Sequence, residues 1–500
     1  MQAQIFNWIF KSRYVIFERN QAQAIVSQQN LWKELVHLAQ ATEFGKKYAF
    51  KDIHSLKDFQ QAIPPQSYED LQVSILEMID GRANVLWPGK IRFFAKSSGT
   101  SSSKSKFIPI SKSSLEQNHF KGGKDMISIY VRKNAHKNVF SGKNLSVSGT
   151  FDKNSSGVMV GDLSSVLLLN LPAWVQKNRL PAVELSILPD WESKINQIST
   201  EIIDQNISSL SGVPSWNLIL LKQVLQKSGA ANLQELWPNF QLYMHGGVNF
   251  EPYRKRFEDI IGPKSFTFLE TYNASEGFFA IQDQLDKDSK GMTLLCNHGV
   301  FYEFVPKEEW GKTNPSYLSL QDVQLGQNYV LLISTKSGLW RYVIGDTVRF
   351  TSLHPFRIVL TGRIQYFINL FGEELVEENA NMALQEVCSR LQCSIKEYMV
   401  GPIYPDANGK GAHEWLLEFE KFPDDFTVFG KLLDQTLKNL NSDYEAKRSG
   451  NIALQAPIVS VVPNGTFLAW LKAKGKVGGQ HKVPRLQNSR KIIEEIRAMR

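Results

Sequence analysis

Ser97-Ser98-Gly99-Thr100, followed by Lys106 and the apolar run Phe107-Ile108-Pro109-Ile110, has the makings of a polyphosphate cradle. Small residues let backbone N–H groups approach a ligand, hydroxyls add donors, and lysines add charge. The spacing of a Walker loop, G-x-x-x-x-G-K-[ST], is absent. A serine-rich surface connection accounts for the same composition. A second cluster is Thr271-Tyr272-Asn273-Ala274-Ser275-Glu276. Glu276 is a hard oxygen donor of the kind that binds Mg2+ held mainly by phosphates. Its alternative is a solvated loop carboxylate, and Tyr272 either stacks on a flat base or belongs to the core. Gly246-Gly247 makes either a tight turn or a bare floor for a ligand. Asp346, behind Gly345, can accept a pair of sugar hydroxyls, or it is an ordinary turn aspartate. Arg363 closes a strand and reads as a surface arginine on composition alone. Lys482 stands in Gln480-His481-Lys482-Val483-Pro484-Arg485. A long ammonium suits a charge that arrives only during reaction. The alternative is one more lysine of a basic tail with Lys472, Lys474, Lys476 and Lys491.

Those residues need elements to carry them. Met1 to about Val85 is helical in pattern, with a break at Pro64-Pro65, and helix resumes from Lys112 to Val131. Ile91 to Ala95 reads as a strand that delivers the serine loop. Val158 to Leu171 reads as strand and loop, and Pro181 to Leu210 and Ser215 to Ser228 as helix. Phe240 to Met244 and Phe266 to Tyr272 are apolar runs that enter Gly- or hydroxyl-rich turns, with a helix from Tyr253 to Ile260 between them. The alternating runs Met292–Cys296, Phe301–Val305, Tyr329–Ser334 and Trp340–Ile344 predict an antiparallel or barrel-like subdomain. Strand ends that deliver such loops suit an α/β sheet with its site at the strand ends. The pattern resets near Thr361-Gly362-Arg363. Beyond it, helices at 379–392, 426–440 and 466–473 alternate with strands at 396–403, 414–419 and 458–462, a small α+β domain of ferredoxin-like type. The expected division is a large domain over 1–363 and a small one over 364–500.

Length and composition set the outer bounds. Five hundred residues, 42% apolar and 21% charged, fit a soluble globular chain of more than one domain. A net charge of +8 fits a protein that handles anions without specifying nucleic acid. Lys104 to Lys143 is rich in lysine, but no aromatic-basic signature accompanies it. Cys296, Cys388 and Cys393 match neither a zinc spacing nor a disulfide framework, which points to a reducing compartment. Charges at Lys11, Arg13, Glu18 and Arg19 interrupt the apolar N-terminus, so it reads as an amphipathic helix packed on the body. With no continuous apolar span, the expected location is the cytoplasm, without membrane or nucleic-acid partners.

Together, the SSGTS…K loop, Y-x-x-S-E at 272–276, Arg341-Tyr342-Val343-Ile344-Gly345-Asp346, Gly362-Arg363 and Gln480–Arg485 resemble the motif series of adenylate-forming enzymes. That superfamily includes firefly luciferase and the acyl-CoA ligases. The chain is most similar to the auxin-responsive Gretchen Hagen type acyl acid amido synthetases, in a bacterial-like form. The resemblance runs from about residue 90 to 490. It implies ATP and Mg2+ as cofactors, with a carboxylic acid and an amino acid or other amine as substrates, in a monomer. Ser97, Ser98, Gly99, Thr100 and Lys106 would hold phosphates. Gly246, Gly247, Thr271, Tyr272 and Ser275 would surround the nucleotide, and Glu276 would serve magnesium. Asp346 would bind ribose. Arg363 would contact nucleotide before the hinge of a rotating small domain, and Lys482 and Gln480 would be catalytic. The acyl pocket would draw on Asn118 to Leu221, with Trp174 and Trp216 as candidates. Two departures stand out. Ser103 replaces the usual glycine, which implies a different loop path or weaker ATP binding. The hinge Asn369-Leu370-Phe371-Gly372-Glu373-Glu374 follows bacterial members, which disfavours hormone substrates. The rival readings are an acyl-CoA ligase, a nucleic-acid-binding protein and a non-catalytic nucleotide binder.

Overall fold

The structure, a computed structural model, describes residues 2–97, 106–247, 250–285, 291–364, 367–368, 373, 375–404, 411–441, 444–445, 448, 454–475, 482–487 and 489–499. The chain divides into two compact units. One holds Met1–Ile344 and Val348–Val359, and the other holds Gly345–Thr347, Leu360–Val477 and His481–Arg500.

The larger unit begins with helices. Gln2–Ala22 buries Phe10, Tyr14 and Phe17, and Arg13 reaches Asp125 at 2.6 Å, so the N-terminus packs on the body as expected. Two reciprocal caps frame the Pro64-Pro65 break. Ser55 and Asp58 open the helix Leu56–Ala62, and Ser67 and Asp70 open Tyr68–Ile79. In each, the serine accepts from the third helical N–H while the aspartate accepts from the capping residue's own N–H.

Strands β1 (Phe93–Ser97) and β2 (Lys106–Ile110) pair antiparallel and close with Ser97 opposite Lys106. The serine loop is therefore strung between neighbouring strands. Next come β3 (Lys143–Ser146), β4 (Phe151–Lys153), β5 (Met159–Gly161), β6 (Arg179–Leu180), β7 (Ile207–Ser211), β8 (Leu242–Gly246) and β9 (Thr267–Ala274). β10 (Gly277–Ile281), β11 (Met292–Leu294), β12 (Val300–Pro306), β13 (Asn328–Thr335), β14 (Tyr342–Leu353) and β15 (Phe356–Arg363) complete the set. β2-β1-β5-β4 form one small sheet, and the others form one sheet in the order β12-β13-β14-β15-β11-β10-β9-β8-β7-β3-β6. β6, β3, β7, β8 and β9 run parallel. The antiparallel strands expected as a barrel-like subdomain are present and continue this ladder through the β9–β10 hairpin.

Two local expectations are corrected. The stretch read as helix to Leu210 ends instead in β7, between β3 and β8. Ile207 to Leu210 is buried throughout, so its serines hide the usual apolar signature of a buried parallel strand. The stretch Val158 to Leu171 is strand only at β5 and then becomes the helix Leu163–Leu169.

In the smaller unit, β16 (Phe367–Ile368) and β17 (Leu375–Val376) make a short hairpin, while β18 (Ser394–Ile403), β19 (Ala412–Lys421) and β20 (Ile458–Val462) form a sheet. The helices Glu377–Arg390 and Phe429–Leu440 cover it around Trp415, Tyr398 and Leu433. A ferredoxin-like layout needs a fourth strand. Among the described residues this sheet has three, with β20 parallel to β19. The segment ahead of the helices is spent on the separate two-residue hairpin.

Candidate active site

The parallel strands β8 and β9 end on one edge, with Gly246, Gly247, Thr271, Ser275 and Glu276 at or just beyond their ends. β8 and β9 pair with Gly246 opposite Thr271. A Cβ on Gly246 would lie 2.4 Å from the Thr271 carbonyl oxygen and 2.8 Å from its hydroxyl, so close strand packing forces glycine here. The Thr271 hydroxyl donates to the His245 carbonyl at 3.1 Å. Gly247 then turns the chain with φ +83°. Ser275 and Glu276 form the two-residue turn of the β9–β10 hairpin, closed by Ala274 opposite Gly277. Ser275 is buried, and Glu276 is half-buried at the tip. Tyr272 lies in the core with its ring edge-on to Phe279 at 4.9 Å. Lys106 lies on β2 with its ammonium 5.5 Å from the Tyr68 ring centre, and the Phe107 N–H donates to the Tyr68 hydroxyl at 3.0 Å. Ser98, Gly99, Thr100, Ser103 and Gln480 lie outside the described residues, and of Ser97 only the backbone is described.

Sequence reasoning passed over the residues that hold this hairpin. The Asn118 side-chain amide donates to the carbonyls of Phe278 and His298, each at 2.9 Å, and its oxygen accepts from the Phe278 N–H at 2.7 Å. Asn118 and His119 sit in a widened helical turn, Leu115–His119, ahead of the helix Phe120–Lys133. His119 is fully buried beside Asn273, and burial pushes its pKa down to about 4. It is therefore a neutral imidazole at pH 7. Only the fold brings this turn against the hairpin, so no local signal in the sequence marks it.

The expected acyl-pocket tryptophans take different positions. Trp174 is 39% exposed and stacks on Phe6 of the N-terminal helix at 5.1 Å. Trp216 is buried at the start of the helix Pro214–Ser228, which follows β7.

Arg341 also departs from its motif's appearance. Its backbone is left-handed with φ +44°, and its side chain is fully buried. Nε donates to both Glu303 oxygens, at 3.2 and 3.0 Å, and Nη1 donates to the carbonyls of Gln60 and Ile63. The guanidinium lies 4.2 Å from the Tyr317 ring centre. It clamps the start of β14.

Asp346, Arg363 and Lys482, far apart in sequence, converge in the smaller unit. Arg363 Nε donates to Asp346 Oδ1 at 2.5 Å across β14 and β15. The Ile364 N–H donates to the Gly345 carbonyl at 2.8 Å, with Gly345 at φ +87°. The Lys482 residue is exposed overall, with its ammonium partly desolvated. That burial, with the Arg363 charge next in size, pushes its pKa down to about 8, while Asp346 and Glu377 act in the other direction.

Matches to known proteins follow this arrangement along the chain. Residues 13–266 match the GH3 family N-terminal domain, 293–363 its central domain and 378–491 its C-terminal domain. The chain belongs to the GH3 family. Indole-3-acetic acid-amido synthetase GH3.3 of Arabidopsis thaliana is 22% identical, over 93% of this chain and 90% of its own length. Among solved structures, AtGH3.15 acyl acid amido synthetase in complex with 2,4-DB superposes with a TM-score of 0.81 at 17% identity, covering 98% of this chain and 96% of that one. A 2-hydroxyisobutyryl-CoA ligase in complex with 2-HIB-AMP superposes at 0.59 and 13% identity, covering 96% and 92%. These structural likenesses show a shared fold.

Proposed function

We propose that this GH3 chain is an ATP-dependent acyl acid amido synthetase. It joins a carboxylic acid to an amine, most simply an amino acid, through an acyl-adenylate. The observation that carries this reading is the convergence of Asp346, Arg363 and Lys482 in a chain matched along its length by GH3 domains.

A substrate carboxylate oxygen attacks the α-phosphorus of ATP, and the bond to pyrophosphate breaks. Both partners are anions, so positioning and positive charge are the protein's main contributions. Lys482 and Arg363 supply that charge, and the Ser97–Lys106 hairpin cradles the phosphates. The amine nitrogen then attacks the acyl carbon, loses a proton and expels AMP, leaving an amide. Asp346 serves two ends, since the carboxylate that pairs with Arg363 keeps acceptor capacity for ribose hydroxyls. Glu276, half-buried next to Ser275 in the hairpin turn, would hold Mg2+, which when bound neutralises phosphate charge. The described residues hold no cluster of three or more metal-ligating side chains. No helix among the described residues is long and apolar enough to cross a membrane.

ATP–pyrophosphate exchange over a panel of carboxylic acids tests the first half-reaction. Mass spectrometry with amino acids or CoA then separates amide from thioester. Exchange followed by thioester alone would move the chain to the acyl-CoA ligases, and no exchange with any acid would end the adenylation reading.

A further inference from the structure

We infer that Cys388 and Cys393 form a dithiol site that hydrogen peroxide closes to an intramolecular disulfide. The geometry comes from how the helix Glu377–Arg390 ends. Leu391 caps it, and Gln392 follows in the left-handed conformation at φ +48°. The Cys393 N–H then donates to the Cys388 carbonyl at 3.1 Å. This is a Schellman stop, in which the residue two past the cap bonds back to the third residue before it. Those two positions characteristically bring their side chains together, usually as an apolar contact. Here both are cysteines, so the stop sets the two thiols next to each other. Their mutual interaction raises the pKa of Cys388 and lowers that of Cys393, with Lys421 adding to the second effect. The pair is reachable, since Cys388 is half-exposed and Cys393 is 9% exposed. Cys296 makes an internal control. It is fully buried, its thiol points to the Leu294 carbonyl, and burial raises its pKa.

The chemistry balances with the peroxide as oxidant. The Cys393 thiolate attacks a peroxide oxygen, the O–O bond breaks, and a sulfenic acid and, after proton uptake, one water result. The Cys388 sulfur then attacks the Cys393 sulfur and expels hydroxide, which takes up the Cys388 proton as the second water. Two thiols and one peroxide become one disulfide and two waters. A small oxidant suits a largely buried nucleophile.

The test uses the full-length chain under native conditions. Iodoacetamide should label the 388/393 pair and leave the buried Cys296 unlabelled. Hydrogen peroxide should lower the mass by about 2 Da, block both labels and yield a peptide linking 388 to 393, reversibly with dithiothreitol. In Cys388→Ser the same treatment should stop at a sulfenic acid trapped by dimedone, and Cys393→Ser should form no such linkage. Gain of about 32 Da at Cys393 without cross-linking, disulfides only between chains, or no reaction of either cysteine would each overturn the inference. If a serine variant fails to fold, the labelling and mass shift of the parent chain decide alone.

Discussion

Lys482 is the residue on which adenylation is expected to turn. In the proposed mechanism its ammonium stabilises negative charge that develops only in the transition state. Lys482→Ala should slow ATP–pyrophosphate exchange roughly 10²–10³-fold while ATP affinity changes little. Exchange at the parental rate would remove it from the mechanism. Its depressed pKa gives the sign of a pH effect. The side chain is charged below about 8 and neutral above, so exchange should fall as pH rises through that value. Asp346 favours the charged form, so Asp346→Asn should move the fall to lower pH and also weaken nucleotide binding. A profile flat from pH 7 to 9.5 in the parent would show that no lysine of this kind is needed. Glu276→Gln should raise the Mg2+ concentration needed for half-maximal exchange, read from a magnesium titration at fixed ATP. An unchanged titration would leave Glu276 as a loop carboxylate.

Elements hold these residues through buried clamps. Arg341 and Glu303 are both nearly inaccessible, at 0% and 1% exposure, and the pair joins β12 to the start of β14. Arg341→Met leaves Glu303 buried with no opposite charge. It should cost about 3–5 kcal/mol in urea unfolding. Arg390→Met, which removes an exposed pair with Glu386, should cost under about 1 kcal/mol and serves as the control. Equal losses for the two would contradict the clamp. The β8–β9 contact is equally unforgiving, because no side chain fits between Gly246 and the Thr271 backbone. Gly246 is thus accounted for by packing alone.

At the scale of the molecule, one order of events follows from the proposed chemistry. A carboxylic acid and MgATP should support pyrophosphate exchange without any amine, and amide should appear only when an amine is added. Exchange that depends on the amine would indicate a concerted route. The candidates divide between the units in a telling way. Glu276, Thr271 and the glycine pair belong to the parallel edge of one unit, whereas Asp346, Arg363 and Lys482 belong to the other.

Much of this was legible in the residues themselves. Strands with apolar cores, such as β8, β9 and β12, and helices with clear caps announce themselves locally, because period and capping act within a few residues. The motif loops were legible too, since their chemistry depends on residue type at short spacing. Other features depend on distant partners. β7 looked helical because its serines are satisfied only by strands and side chains elsewhere, such as the Ser209 hydroxyl accepting from Asn144 at 3.0 Å. Tyr272 could have been ligand wall or core until Phe279 was placed against it. Asn118 and the burial of Arg341 carry no local mark, because burial and hydrogen bonding are settled by which side chains the fold brings together. The two cysteines behaved likewise. Their spacing matches no framework, and only the left-handed turn at Gln392, which reverses the backbone after the helix, brings residue 393 back to bond residue 388.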